Sequence, residues 1–237
     1  LTSQYEELLP VAGMATTTTV FCNESGEYVV YESDEHGFHN PRGMWEHRPV
    51  ELLALGDSYT HGVCVPSDKG FVAVVRGHHP NTMNLGVNSH GPLTSLATLK
   101  EYGPVLKPKL VLWFYYEGND LRELDGWEKN SPLLMKYLSS SFSQHLFERQ
   151  PEIDRSLRDY LDAAMAKATA PISLENILKL HHLRHAVQSF YERRPAEQGF
   201  PAELLEFLRH SGASAAPEDL QLFERILTEA QATAKTW

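Results

Sequence analysis

Between residues 50 and 125 the chain is built of short apolar runs that stop at Gly, Asn or Asp, each followed by a stretch with helical spacing. Val50-Glu51-Leu52-Leu53-Ala54-Leu55 reads as a buried parallel strand, since a strand covered on both faces is apolar at nearly every position. Thr82 to Gly86 reads as a second short strand. Lys109 to Tyr116 is the strongest strand signal in the chain. Phe71 to Arg76 and Leu93 to Tyr102 are the intervening helix candidates. Strand, loop and helix in alternation predict a doubly wound parallel α/β sheet.

The flanks differ. Thr16 to Thr19 is an edge strand or an ordered arm, and Tyr28 to Tyr31 is a short strand pattern. Asp34 to Gly43 is turn chemistry, rich in Gly, Asn and Pro. From about Leu124 the strand signal ends. Pro151 to Ala170, Ser173 to Arg194, Pro201 to His210 and Pro217 to Lys235 all carry helix patterns. The last opens on Pro217, Glu218 and Asp219, good first-turn chemistry. The expected organisation is one domain over 1–237: an N-terminal arm (1–48), an α/β core (49–125) and a mostly helical addition (126–237).

Composition narrows the possible roles. The 237 residues are 42% hydrophobic and 22% charged, which excludes a disordered or coiled-coil chain. The formal charge of -10, with no dense basic stripe, argues against nucleic acid as a partner. The longest apolar run, Leu110 to Tyr116, is far short of the roughly twenty residues of a membrane span. The first residue is Leu1 rather than Met, so processing or truncation is expected. Cys22 and Cys64 allow at most one disulfide; bridged, they favour a periplasmic or secreted protein, and free they say little.

Three loops carry the candidate chemistry, one after each predicted strand: Gly56 to Gly62, Asn84 to Pro92, and Glu117 to Asp120. In an open parallel sheet such loops meet in a crevice at the carboxyl ends of the strands. Ser58 lies at a strand-to-helix turn, beside free backbone N–H groups. The second loop adds backbone donors and Asn119 adds an amide. A hydroxyl facing converging donors is equipment for acyl transfer.

Together these residues resemble the SGNH, or GDSL-type, hydrolases. Gly56-Asp57-Ser58 matches the nucleophile block of that family, Asn84 to Pro92 resembles its second block, and Gly118-Asn119-Asp120 matches the core of its third. The resemblance covers roughly residues 50–125. It implies a flavodoxin-like three-layer α/β/α sandwich with a parallel sheet, here with a large helical addition. It implies an esterase with Ser58 as nucleophile. The oxyanion donors would be the N–H of Ser58, an N–H from Ser89 or Gly91, and the Asn119 amide. The expected substrate is a small acyl ester, acetyl first, of a carbohydrate or similar small molecule, with no cofactor and no metal.

Two departures stand out. On alignment the family's oxyanion Gly falls at Ser89, which then needs a compatible φ. No Asp stands three residues before any of the twelve His, so the family's Asp-x-x-His block is missing. The expectation is that this block lies beyond residue 237. The alternative is an internal base, Asp34-Glu35-His36, resembling the Asp-x-His pair of related polysaccharide O-acetyltransferases. An inactive SGNH-like binding domain is the third possibility.

Plainer readings stand beside these. Ser58 also suits a helix cap, and Asn119-Asp120 a simple turn. Asp57 is expected to brace its loop. His61 is expected to point along the helix surface. His181 and His185 share a helix face but lack an acid or Cys at a useful interval, so a solvated helix is preferred to a metal site. Oligomeric state is not readable.

Overall fold

The structure, a computed structural model, describes residues 8–22, 26–169 and 216–237. The helix patterns at 173–194 and 201–210, with His181, His182, His185 and His210, lie outside the described residues. Residues up to Leu157 and from Ala216 onward form one compact unit; Arg158 to Thr169 belongs to a second. The boundary therefore falls inside the expected helical addition, and the C-terminal helix belongs with the α/β core.

The described residues are mixed α/β, with five strands and seven helices. Strands β1 (Thr18–Val20) and β2 (Val30–Glu32) pair antiparallel as a hairpin. A separate parallel sheet has the order β4-β3-β5, formed by β3 (Leu52–Leu55), β4 (Thr82–Asn84) and β5 (Leu110–Trp113). Leu53 pairs with Met83 on one side and Val111 on the other. Its central place explains why β3 is apolar throughout and buried at all four positions. The stronger run in β5 borders the sheet, and Leu110 there is exposed.

Helices α1 (Ser58–His61), α2 (Phe71–Arg76) and α3 (Pro92–Leu106) follow β3 and β4, as the pattern predicts. Helix α3 is buried along almost its whole length, and Leu93, Leu96, Leu99 and Leu106 join the core with Leu53, Leu55 and Met83. Each such fully buried Leu contributes roughly 1.5–3 kcal/mol. Helices α4 (Asp120–Gly126), α5 (Pro132–Lys136), α6 (Gln150–Thr169) and α7 (Pro217–Ala234) complete the described set. Helix α7 packs on α3 and α4; Lys100 of α3 pairs with Glu229 at 2.6 Å, and Lys129, in the turn after α4, pairs with Asp219 at 2.8 Å. No helix among the described residues is long and apolar enough to cross a membrane.

Cys22 and Cys64 form a disulfide that ties the hairpin to the segment following α1.

Candidate functional site

The three loops meet at the carboxyl ends of β4, β3 and β5, and hydrogen bonds join them. The Val87 N–H of the second loop donates to the Gly56 carbonyl of the first at 3.1 Å. The Asn119 amide of the third donates to Asp57 Oδ2 at 3.1 Å. Asn84 clamps the first loop by donating to the Thr60 carbonyl at 2.8 Å, while its own Oδ1 accepts from the Gly86 N–H at 2.9 Å.

The first turn is built on Gly56, at φ +151°. A Cβ there would lie 2.8 Å from the Phe114 carbonyl oxygen, so the site requires glycine for conformation and for space. Asp57 is the N-cap of α1, its Oδ1 accepting from the Tyr59 N–H at 3.0 Å. One carboxylate thus fixes both the start of α1 and the Asn119 amide, the bracing role the sequence predicts. Ser58 is the first residue of α1 and half-buried. Its N–H donates to no protein group among the described residues.

The two second-loop candidates separate. The Gly91 N–H donates to Glu128 Oε1 at 3.0 Å and is already engaged. The Ser89 N–H has no acceptor among the described residues, and Ser89 holds φ 64°, the left-handed region glycine favours. The geometry therefore turns the choice toward Ser89. Asn119 uses one amide proton on Asp57 and keeps a second. Its Oδ1 is buried without a partner.

Glu128 is the feature the sequence reading missed. It is fully buried and accepts from the N–H groups of Gly91, Leu93 and Thr94 at 2.9–3.0 Å, and from the Thr94 hydroxyl. Gly91 has no side chain to cap α3, and Glu128 supplies the cap from 37 positions away. No local pattern connects residue 128 with residue 91. Burial pushes the Glu128 carboxyl above its ordinary value, against the pull of these donors.

The histidines are placed differently from expectation. His61 does not lie along the helix surface: it is buried, with Nε2 2.9 Å from the Tyr31 hydroxyl and its ring 5.5 Å from Phe21. Burial and the neighbouring His39 pull its pKa down to about 4. The reason is the hairpin, which covers α1 from outside. His90 is buried too, lowered to about 3 by burial and by His61.

Asp34 and His36 do not form a dyad. Asp34 Oδ1 accepts from the backbone N–H of His36 and Phe38, and Oδ2 from the Asn40 amide and the Trp45 indole, all at 2.8–2.9 Å. The His36 ring stacks on Phe147 at 4.3 Å and meets Trp45 edge-on at 4.4 Å. Asp34 is a brace: it orients Asn40, which exchanges hydrogen bonds with the backbone of Asn84.

Asp120 starts α4 with Oδ2 accepting from the Tyr116 N–H, and its Oδ1 is buried without a partner. Burial, with Asp57, Glu128 and Glu123 nearby, pushes its pKa up to about 7. No group of three His, Cys, Asp or Glu side chains among the described residues could hold a metal. A cavity of about 430 Å³ lies elsewhere, lined by Lys100, Glu101 and Glu229, whose charged atoms are bonded to protein groups.

No family model, no curated protein and no solved structure matches the chain.

Proposed function

We propose that the chain is an SGNH-type serine ester hydrolase on a flavodoxin-like α/β/α framework, acting on esters of a small acyl group. The single observation that carries this reading is the joining of three motif-bearing loops, each following a parallel strand, by the Val87–Gly56 and Asn119–Asp57 hydrogen bonds.

In this reading the Ser58 hydroxyl attacks the ester carbonyl. The negative charge moves to the carbonyl oxygen, which takes hydrogen bonds from the N–H groups of Ser58 and Ser89 and from the second amide proton of Asn119. The alcohol leaves with a proton, and water then releases the acid from the acyl-Ser58 intermediate. Asp57 holds Asn119 and α1 in register and does not react. A His acting as general base takes the Ser58 proton and passes it to the leaving alcohol; among the described residues no side chain hydrogen-bonds the Ser58 hydroxyl. The commitments of Asp34 and His36 weigh against the acetyltransferase-like alternative. The Cys22–Cys64 bridge supports a periplasmic or secreted location.

The test is labelling with a serine-reactive fluorophosphonate followed by intact mass and peptide mapping. One adduct on Ser58, absent from Ser58→Ala, is expected. No adduct, or one on another Ser, overturns the reading and leaves a binding domain.

A further inference from the structure

Beside Ser58 the surface carries aromatic rings that the chemistry above does not use. Tyr59 follows Ser58 directly and is 61% exposed; Tyr116, just before the third loop, is 42% exposed. Their ring centroids lie 4.8 Å apart, tilted by 56°. The Tyr116 ring lies across Gly118, where a Cβ would stand 2.6 Å from its Cζ. The pair therefore bridges the nucleophile loop and the Asn119 loop. Tyr115 continues the surface, 41% exposed and stacked on Phe223 of α7 at 5.1 Å.

An exposed aromatic pair next to a reactive group is a contact surface in want of a ligand. Its chemistry selects among ligands. Tyrosine offers an apolar ring face of negative potential together with a hydroxyl that stays hydrated. That face suits the polarised C–H groups on one side of a pyranose ring, and the phenols suit its hydroxyls. The local charge selects further. Glu117 and Glu123 follow Tyr116 with Arg122 as the one cation close by in sequence, while Asp120 is buried and Asp125 is paired with Lys129, so the surface there is weakly acidic. A polyanionic glycan, a nucleic acid or an anionic lipid surface would be repelled there, whereas a neutral saccharide would not.

We propose that Tyr59 and Tyr116 form a stacking shelf for a neutral pyranose ring, so that the esters presented to Ser58 are those of neutral saccharides. This rests on the esterase reading for its consequence, though the shelf can be tested without turnover. An acyl chain is the competing occupant, and the exposed Phe71–Phe114 pair at 4.7 Å is where such a chain would extend.

The experiment uses the Ser58→Ala protein, in which no ester is consumed, titrated calorimetrically with acetylated xylo-oligosaccharides, chito-oligosaccharides and an octanoyl ester. Saccharide binding is expected, weakened about fivefold or more by Tyr116→Ala and by Tyr59→Ala and kept within about twofold by Tyr116→Phe. Circular dichroism of each variant confirms folding, and two independent positions guard against a local distortion at one. The proposal is overturned if no saccharide binds, if binding survives both alanine variants, or if the octanoyl ester alone binds with this tyrosine dependence. Fluorophosphonate labelling of the unaltered protein separates the two readings. A labelled Ser58 without saccharide binding removes the shelf alone. Tyrosine-dependent saccharide binding without labelling removes the hydrolase alone.

Discussion

The Asn119 amide donates to Asp57 Oδ2 at 3.1 Å, across 62 positions of sequence. Asp57 also caps α1, so the start of the Ser58 helix and the orientation of the Asn119 amide depend on one carboxylate. Asp57→Ala is expected to lower stability by about 1–2 kcal/mol through the lost cap and the lost amide partner, read from urea denaturation. It should also slow fluorophosphonate labelling of Ser58. In the proposed mechanism Asn119→Ala removes an oxyanion donor, and labelling is then expected to slow by roughly a hundredfold. Unchanged rates in both variants would remove these residues from the site.

Ser89 offers a conformational test. Its φ of 64° strains any side chain, and β-branched ones most. Ser89→Gly should be neutral or raise the melting temperature, while Ser89→Val should cost about 1–2 kcal/mol. If Ser89 supplies its backbone N–H to the oxyanion, Ser89→Gly should label as fast as the parent. A sharp loss in that variant would point to the hydroxyl instead.

Glu128 anchors the start of α3. Glu128→Gln replaces a carboxylate with a group whose NH2 would face backbone donors, and a loss of about 2–3 kcal/mol is expected. Hydrogen exchange should show the first-turn amides of α3 losing protection ahead of its middle. Uniform loss along the helix would mean that the carboxylate does not cap it.

Acid stability follows from two buried histidines. His61 and His90 titrate at about 4 and about 3 in the fold, against an ordinary value of 6.5. Between those values the unfolded chain binds more protons than the native one, so stability falls as pH is lowered from 6.5 through 4. His61→Gln should shrink the drop in urea midpoint across this window. An undiminished drop would assign the acid sensitivity elsewhere.

Asp120 works in the opposite direction. Its carboxyl titrates at about 7 in the fold and at 3.8 when unperturbed. The native state holds the extra proton between these values, and this group's contribution to stability falls as pH rises from 3.8 to 7. Asp120→Asn keeps an acceptor for the Tyr116 N–H and removes the charge. Its urea midpoint relative to the parent should therefore rise between pH 4 and pH 8, and a flat difference would contradict the assignment.

The parts legible in the sequence are those fixed by local physics. An uninterrupted apolar run ending at Gly marks β3 because a central parallel strand has no solvent face, and Asp57 could be read as a brace from its place at a helix start. The need for a particular φ at residue 89 was equally visible. What stayed hidden depends on distant pairings. Nothing near residue 128 announces a cap for α3. Asp34 and His36 look like an acid–base pair along the chain, yet the carboxylate turns to Asn40 and Trp45 and the imidazole to Phe147. His61 is hidden by a hairpin that two faint strand patterns only hint at, and the Cys22–Cys64 pairing follows from that same packing.

The crowding around Gly56 and Gly86 bears on how the first two loops tolerate change. A methyl group at 56 would meet Phe114, and one at 86 would stand 2.7 Å from the His61 backbone nitrogen. Either replacement should be costly to folding whatever happens to turnover. In a library of random variants sorted only for soluble expression, both codons should therefore stay fixed. The outline of the two loops would emerge from folding selection alone, before any substrate is supplied.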